Sequence, residues 1–300
     1  MIANAGILPR MTTSTLRALP LLLPLAACAP ASVTQPAPGV TATTTAADPV
    51  PRHDTLTIGS AALGEARLIN VHTPAGYAAN PSAAFPVLYM PDGGLDEDFP
   101  HVVNTIDSLI ALKRIAPVIV VGIPNTERRR DLTGPTTVAK DSTIAPRVGG
   151  SAAFRRFIRD ELMPEVRRRY RTNDEAAIVG ESLAGLFIVE AFLLEPALFN
   201  RYIAMDPSLW WNGGELVRSA EGRLGALAGA ARTLYLTAGK EPSISEGSAA
   251  LATMLRAARV PGLTFHYEPR PHLDHATIFR ATLPPAFATA LWHDDDRPQE

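Results

Sequence analysis

Residues 177–187 read AIVGESLAGLF, a short apolar run that meets a serine between small residues and continues as an apolar, helix-like pattern. This order predicts a β-strand, a sharp turn at Ser182 and a helix. A serine hydroxyl is a useful nucleophile only when it stands clear of the backbone, close to a histidine base and to N–H donors. A strained G-x-S-x-G turn gives that exposure and crowds the positions two before and two after the serine. Here they are Gly180 and Ala184, so the second glycine is replaced, and a serine that merely caps a helix is the alternative.

The composition is that of a globular α/β protein with an N-terminal extension. The chain has 300 residues, of which 46% are hydrophobic and 19% are charged, enough to bury a large core. The net charge of −2 gives no basic excess to neutralise a phosphate backbone, so we expect no nucleic-acid partner. The single cysteine, Cys28, excludes a disulfide framework.

The first 28 residues predict export. Arg17 precedes the apolar run at 21–27, which is too short and too proline-broken to span a bilayer, where about 20 apolar residues are needed. The sequence LAAC at 25–28 resembles the bacterial lipobox, whose cysteine is lipidated and becomes the mature N-terminus. A plain secretory signal cleaved near the same alanines is the alternative. The first reading predicts a periplasmic lipoprotein anchored in the outer membrane through Cys28, and the second a secreted protein.

The rest of the chain divides into a tether and a catalytic domain. Residues 29–51 are mainly Ala, Pro and Thr with almost no charge, a composition that cannot bury enough apolar surface to fold. We therefore predict a disordered tether over 29–51 and a folded catalytic domain over 52–300.

Hydrophobic patterns in the domain predict a mostly parallel, doubly wound sheet with an antiparallel N-terminal hairpin. Alternating runs predict the hairpin, continuous apolar runs predict strands covered on both faces, and apolar residues at helical spacing predict the helices between them. The hairpin strands are predicted at 55–58 and 65–72, the central strands at 87–90, 118–123 and 177–180, and the helices at 101–114 and 151–169. Ligands bind beyond the carboxyl ends of such strands, which is where the 93–94 turn and Ser182 lie.

Three further strands, at 202–205, 233–237 and 264–268, are each followed by polar residues. In α/β hydrolases the order along the chain is nucleophile, acid and histidine, with the acid usually after the penultimate strand. That order favours Glu241 as the acid. Asp206, one strand earlier, is the rival, and Glu246 is a further alternative.

The loop after the last strand carries two candidate bases, His272 and His275. We favour His275 because the sequence DHATIF at 274–279 leads directly into an apolar helix, as expected of a histidine loop that folds back onto the domain. His272, three residues earlier, is the alternative.

Seven stretches between about residues 54 and 290 carry a family resemblance: VLYMPDGG, VGIPNTERRRDLTGP, FIRDELMPEVRRRYRT, IVGESLAGLFIVE, DPSLWWN, LTAGKE and DHATIF. Together they resemble the putative-esterase branch of the α/β hydrolases, which includes siderophore trilactone esterases. The resemblance implies an α/β-hydrolase fold and serine hydrolysis with no metal and no cofactor. It does not specify a substrate.

The resemblance also implies roles for individual residues. Ser182 would be the nucleophile, His275 the base and Glu241 the acid. The oxyanion hole would use the backbone N–H groups of Leu183 and of a residue in the Gly93-Gly94 turn, for which we take Gly94. His275 would accept the Ser182 proton during attack on the ester, and water would then hydrolyse the acyl-enzyme.

Two pairs of residues are candidates for substrate binding. Arg128 and Arg130 follow the 118–123 strand, and relatives use an arginine of this segment to meet an anionic or catecholate group; a solvated loop or an ion pair is the alternative. Trp210 and Trp211 could wall the cleft against aromatic or apolar acyl groups, or could only pack in the core.

The sequence thus predicts an exported serine hydrolase of small-molecule carboxylic esters. Alternatives are a siderophore trilactone esterase specifically, an acyltransferase with the same triad, and a catalytically silent lipoprotein. A metallohydrolase built on His272, Asp274 and His275 would require a histidine at position 270, where Arg270 stands. The segment 206–232 is too short for a large lid, which disfavours a lidded lipase.

Overall fold

The computed structural model describes residues 48–145 and 147–293. The predicted signal segment, the lipobox with Cys28 and most of the predicted tether lie outside the described residues. All the described elements belong to one unit, Ala47–Glu300. Asp48 and Pro49, predicted to lie in the tether, belong to this unit. Asp48 pairs with Arg280 and His101, and the Pro49 carbonyl accepts a hydrogen bond from Asn104.

The described residues form one eight-stranded sheet in the order β1-β2-β4-β3-β5-β6-β7-β8. The first hairpin is antiparallel, β2 pairs with β4 antiparallel, and all the other neighbours are parallel. The strands are β1 (Asp54–Ser60), β2 (Glu65–His72), β3 (Phe85–Pro91), β4 (Ile119–Ile123), β5 (Thr172–Glu181), β6 (Arg201–Met205), β7 (Arg232–Thr237) and β8 (Leu263–Tyr267). The predicted fold class is confirmed.

Helices cover both faces of the sheet, because successive side chains of each buried strand point to opposite faces and both sets are apolar. The helices are α1 (Phe99–Ala111), α2 (Arg128–Leu132), α3 (Ala139–Thr143), α4 (Ser151–Phe157), α5 (Met163–Arg169), α6 (Leu183–Leu194), α7 (Trp211–Arg218), α8 (Pro242–Ala258) and α9 (Ile278–Ala290). A short 3-10 helix spans Glu221–Leu227. On β3, Leu88 and Met90 join the core beneath α1 and α9, whereas Val87 and Tyr89 join the core beneath α4, α5 and α6.

The helix predicted over 151–169 is interrupted by a single π-helical turn at Ile158–Leu162. Pro164 explains the break, because proline has no N–H and cannot continue the normal hydrogen-bond ladder. The Met163 N–H bonds instead to the Ile158 carbonyl, five residues earlier.

None of the helices in the described part of the chain is both long enough and apolar enough to cross a membrane.

A buried ion pair fixes α2, the helix that follows the carboxyl end of β4. Arg67 on β2 and Asp131 in α2 are each only 1% exposed, and Arg67 Nη1 lies 2.6 Å from Asp131 Oδ2. Arg67 also donates to the Pro124 carbonyl at 2.9 Å and lies over the ring of Phe154, 5.3 Å from its centroid. Each charge has a second partner, because Arg67 Nη1 also lies 3.1 Å from Glu65 Oε1 and Asp131 Oδ1 also accepts Arg130 Nε at 2.7 Å. Removing Arg67 therefore leaves the buried Asp131 with only the less buried Arg130.

We predict that Arg67→Ala lowers the free energy of unfolding by about 3 kcal/mol, at the low end for breaking a buried ion pair, because Asp131 loses its most buried partner and keeps only Arg130. Urea denaturation followed by circular dichroism measures the change. Arg168→Ala, which removes an exposed ion pair with Glu165, is the control and should have a much smaller effect. Equal effects of the two substitutions would contradict the prediction.

Candidate active site

The turn between β5 and α6 holds Ser182 in a strained conformation. Its φ of +60° and ψ of −117° lie outside the regions that a non-glycine residue ordinarily adopts. A Cβ at Gly180 would lie 2.6 Å from the Cβ of Ala184, so position 180 must be glycine. The alanine at 184 fits because position 180 carries no side chain. The predicted strand, turn and helix are confirmed, and Ser182 is not an ordinary helix cap.

The segment after β6 holds this turn from the neighbouring strand. The Ser182 N–H donates to the Met205 carbonyl at 3.1 Å, and the Ser208 N–H donates to the Ser182 carbonyl at 3.0 Å. A Cβ at Gly185 would come within 2.9 Å of the Met205 oxygen and 3.0 Å of the Pro207 Cα, so the glycine after Ala184 allows this close approach. The hydroxyl oxygens of Ser182 and Ser208 lie 3.3 Å apart.

His275 reaches Ser182 from the loop after β8. Its Nε2 lies 3.0 Å from Ser182 Oγ, within hydrogen-bond distance. The loop is tied to the segment after β7, because the Lys240 N–H donates to the Leu273 carbonyl at 2.9 Å. Of the two candidate histidines, the structure brings His275 to the serine, whereas His272 lies exposed on the same loop.

The carboxylate on the His275 ring is that of Asp206. His275 Nδ1 lies 2.5 Å from Asp206 Oδ2, and the Asp206 side chain is fully buried. The other oxygen, Oδ1, accepts the Gly239 N–H at 2.6 Å. The prediction that Glu241 contacts the imidazole ring is therefore wrong. Asp206 leaves β6, the strand beside β5, in a conformation with φ of +43° that begins the turn beside Ser182.

Glu241 supports the histidine loop rather than the histidine ring. Its Oε1 accepts the backbone N–H of His275 at 3.2 Å, and its Oε2 is buried with no hydrogen-bond partner within the described residues. Glu246, the remaining candidate acid, is exposed on α8.

The surroundings of His275 favour its protonated form. The hydrogen bond to Asp206 is the largest influence and raises the pKa of His275, while partial burial of the ring opposes this effect. The carboxylates of Glu181 and Glu241 also raise the pKa of His275. An imidazole held in this way presents Nε2 to Ser182 as a proton acceptor and is stabilised once it becomes charged.

The two predicted oxyanion donors differ in availability. The N–H of Leu183, the first residue of α6, has no hydrogen-bond partner within the described residues, as expected at a helix N-terminus. The N–H of Gly94 donates to Glu97 Oε2 at 2.7 Å. Glu97 Oε1 in turn accepts the side-chain amide of Asn125 at 2.6 Å. The structure therefore leaves the Leu183 donor open, whereas that of Gly94 is occupied.

Arg128 braces the turn that contains Gly94. Its guanidinium donates to both carboxylate oxygens of Asp92, at 2.6 and 2.8 Å, and the side chain is 36% exposed. Asp92 has a φ of +56° and begins the Gly93-Gly94 turn. Arg130 points elsewhere and is paired with Glu65 and Asp131, so the structure does not bring it to Ser182.

The two tryptophans differ in exposure: one lies at the surface and the other in the core. Trp211 is only 4% exposed and donates its indole N–H to the Gly134 carbonyl at 2.9 Å, which makes it a packing residue. Trp210 is 38% exposed and follows Ser208 by two residues, so it remains available to a ligand.

No sequence pattern marked Glu181 or Glu97, two carboxyl groups near Ser182. Glu181 directly precedes Ser182, and one of its oxygens lies within 4.8 Å of a His275 nitrogen and an Asp206 oxygen. Burial raises the pKa of Glu181 to about 8, and the His275 charge opposes that effect. The position before Ser182 was the available signal for Glu181. Glu97 carried no such signal, because its contact with Asn125 joins segments distant in sequence.

Asp274 of the hypothetical metal set is engaged away from the serine. Its Oδ1 accepts the Thr277 hydroxyl at 2.8 Å, and its Oδ2 lies 3.6 Å from Lys240 Nζ. Together with exposed His272, this arrangement does not bring the three residues of the metallohydrolase alternative into one site within the described residues.

Comparison with known proteins places this site in a family context. The sequence model described as "Putative esterase" matches residues 60–284. The ferri-bacillibactin esterase BesA of Bacillus subtilis is 32% identical over 152 residues, which cover 44% of this chain and 50% of that protein. The siderophore triacetylfusarinine C esterase of Aspergillus fumigatus is 35% identical over 104 residues, 32% of this chain and 34% of that protein. The chain thus spans half or less of the length of these curated relatives.

Solved structures show the same fold. The IroE-like serine hydrolase of Shewanella oneidensis superposes with a TM-score of 0.70 at 26% identity, covering 79% of each chain. The BES protein of Bacillus cereus superposes with a TM-score of 0.71 at 21% identity, covering 79% of this chain and 93% of its own. With a family match across residues 60–284 and a strained serine turn within it, the chain belongs to the putative esterase family of α/β hydrolases.

Proposed function

We propose that this protein is an exported serine esterase that cleaves carboxylic esters through Ser182, His275 and Asp206. The observation that carries the proposal is the continuous set of contacts from Ser182 Oγ to His275 Nε2 at 3.0 Å and from His275 Nδ1 to Asp206 Oδ2 at 2.5 Å. These are the contacts that a nucleophile, a base and an orienting acid require.

The mechanism follows from the geometry. Ser182 Oγ attacks the ester carbonyl carbon while His275 Nε2 accepts the hydroxyl proton. Asp206 holds the ring in the tautomer that leaves Nε2 free and stabilises the imidazolium. His275 then gives the proton to the departing alkoxide, and an acyl-enzyme remains on Ser182. Water, deprotonated by His275, repeats the attack and releases the acid.

The backbone N–H of Leu183 stabilises the oxyanion in both steps, because it points from a helix N-terminus and has no hydrogen-bond partner within the described residues. The N–H of Gly94 donates to Glu97 and is therefore not available as a second donor to the oxyanion.

We propose siderophore esters as the substrate class. One curated relative is named a ferri-bacillibactin esterase and another a siderophore triacetylfusarinine C esterase, and they match this chain at 32% and 35% identity. The surface near Ser182 adds support: Trp210, two residues after Ser208, is 38% exposed, and only short helices connect β6 to β7 within the described residues. An exposed aromatic side chain suits a bulky, aromatic ester.

Ser182→Ala should lower ester hydrolysis by about 10³-fold or more, because the residue that forms the acyl-enzyme is removed. The assay compares a p-nitrophenyl ester series with a catecholate trilactone, using wild type, the variant and chelator-treated wild type. We expect only the variant to lose turnover, and the preferred ester to rank the substrate classes. Full turnover by Ser182→Ala would contradict the proposal, and loss with chelator would favour metal chemistry.

Asp206→Asn should lower kcat by about 10³–10⁴-fold and move the acid limb of the pH profile to lower pH, because the ring loses the carboxylate that raises its pKa. Wild-type activity falls as the pH drops through the raised pKa of His275, since the protonated ring cannot accept the serine proton. Glu241→Gln, which removes a charge from the loop without touching the ring contact, is the matched control. A larger loss in Glu241→Gln than in Asp206→Asn would restore Glu241 as the acid.

Export and lipid anchoring remain part of this proposal and rest on the sequence LAAC at 25–28. We expect Cys28→Ser to move the protein from the membrane fraction to the soluble fraction without changing its esterase activity. Fractionation of cells expressing the full chain, with mass spectrometry of the mature N-terminus, measures this. A wild-type protein found wholly in the soluble fraction would contradict lipid anchoring and leave the plain secretory signal.

A further inference from the structure

Glu181 is a partly buried carboxyl group beside the catalytic centre that has no role in the triad. It stands between Gly180 and Ser182 at the end of β5. Its Oε1 is buried and accepts no hydrogen bond from the described residues. Leaving a carboxylate oxygen without a donor is costly, so such a group in a folded protein calls for an explanation.

Glu181 lies close enough to His275 for its charge to act on the imidazole ring. One of its carboxylate oxygens lies within 4.8 Å of a His275 ring nitrogen and of an Asp206 oxygen. The hydrogen-bonding positions of the ring are already taken, because Nδ1 is bound by Asp206 and Nε2 faces Ser182. At this distance, in a partly desolvated site, a negative charge stabilises a positive ring without a direct hydrogen bond.

The charged groups around Glu181 come from four elements. They are Asp98 before α1, Arg128 in α2, Asp206 after β6 and His275 after β8; the His275 ring is additionally influenced by Glu241. Burial is the largest influence and raises the pKa of Glu181 to about 8. The positive charges of His275 and Arg128 oppose this shift, and the carboxylates of Asp98 and Asp206 add to it. Arg128 makes its two hydrogen bonds to Asp92, so it influences Glu181 only through charge.

We infer that Glu181 is a positioning residue for the base: its ionised carboxylate stabilises the imidazolium form of His275 and thereby accelerates ester hydrolysis. The inference rests on the proposed function, because it requires His275 to receive the Ser182 proton.

The charge balance gives the direction of the effect. When Ser182 attacks, its proton moves to His275 Nε2 and a positive charge appears on the ring. An ionised Glu181 stabilises that charge, whereas a protonated Glu181 does not. The proton later leaves with the alkoxide, so Glu181 itself exchanges no proton with the substrate. Turnover therefore gains a second rise with pH, beyond the one caused by deprotonation of His275.

The experiment is a pH–rate profile between about pH 5 and pH 10 for wild type and Glu181→Gln, with kcat and kcat/KM for a p-nitrophenyl ester. Wild type should show the His275 limb and a further rise near pH 8. Glu181→Gln should lack that rise and be roughly tenfold slower at pH 9, since a tenfold loss of rate corresponds to about one unit of the His275 pKa.

A second variant, Asp98→Asn, tests the same inference with Glu181 intact. Removing the Asp98 charge lowers the pKa of Glu181, so the upper rise should move to lower pH. This variant decides the matter if Glu181→Gln does not fold. Glu161→Gln is the matched control, because Glu161 also carries a buried oxygen without a partner among the described residues but lies on the π-helical turn. Its profile should equal that of wild type.

Two results would overturn the inference. One is a Glu181→Gln profile that keeps the upper rise and the wild-type rate at pH 9. The other is a uniform loss at every pH with an unchanged profile, which indicates a packing role; for Asp98→Asn, an unmoved rise has the same meaning. Failure of the proposed function is separate: a fluorophosphonate probe would then not label Ser182 in wild type, or Ser182→Ala would keep its turnover.

Discussion

The strained backbone at Ser182 is the constraint on which the candidate site, at the carboxyl ends of the parallel strands, depends. A serine with positive φ directly after a parallel strand projects its hydroxyl out of the sheet and starts α6 in the same step. The conformation persists because neighbours fix both sides of the residue: Met205 accepts its N–H, and Ser208 donates to its carbonyl. Strain of this kind survives only where the surroundings over-determine it.

The same segment that holds the turn also supplies the carboxylate that meets the His275 ring. Met205 and Ser208 flank Asp206, so one short stretch after β6 both restrains Ser182 and presents a buried carboxylate to His275. His275 lies in the loop after β8, the last strand along the chain. Glu241 accepts its backbone N–H, and Asp206 contacts its ring. Glu241 thus holds the backbone of the histidine loop, whereas Asp206 contacts the ring of His275.

Carboxylates are unusually numerous at this edge of the sheet. Asp206, Glu181 and Glu241 all raise the pKa of His275, while Asp92 and Glu97 hold the glycine turn opposite through Arg128 and Asn125. These negative charges favour the protonated form of His275. At the Gly93-Gly94 turn, the positive charge of Arg128 offsets part of them. Arg128, which is predicted to contact the substrate, is therefore held within the site by its hydrogen bonds to Asp92.

The sequence by itself determined the fold class, the strand order along the chain, the serine turn and the histidine, because each depends on local patterns: apolar runs, helical spacing and small residues around Ser182. Only the tertiary structure decided that Asp206 rather than Glu241 meets the ring, that Gly94 is occupied by Glu97, and that Trp211 is buried while Trp210 is exposed. Chain order gives the strand after which an acid stands, but not the direction of its carboxylate. That direction is set by which loops come together at the edge of the folded sheet, and no local pattern encodes it.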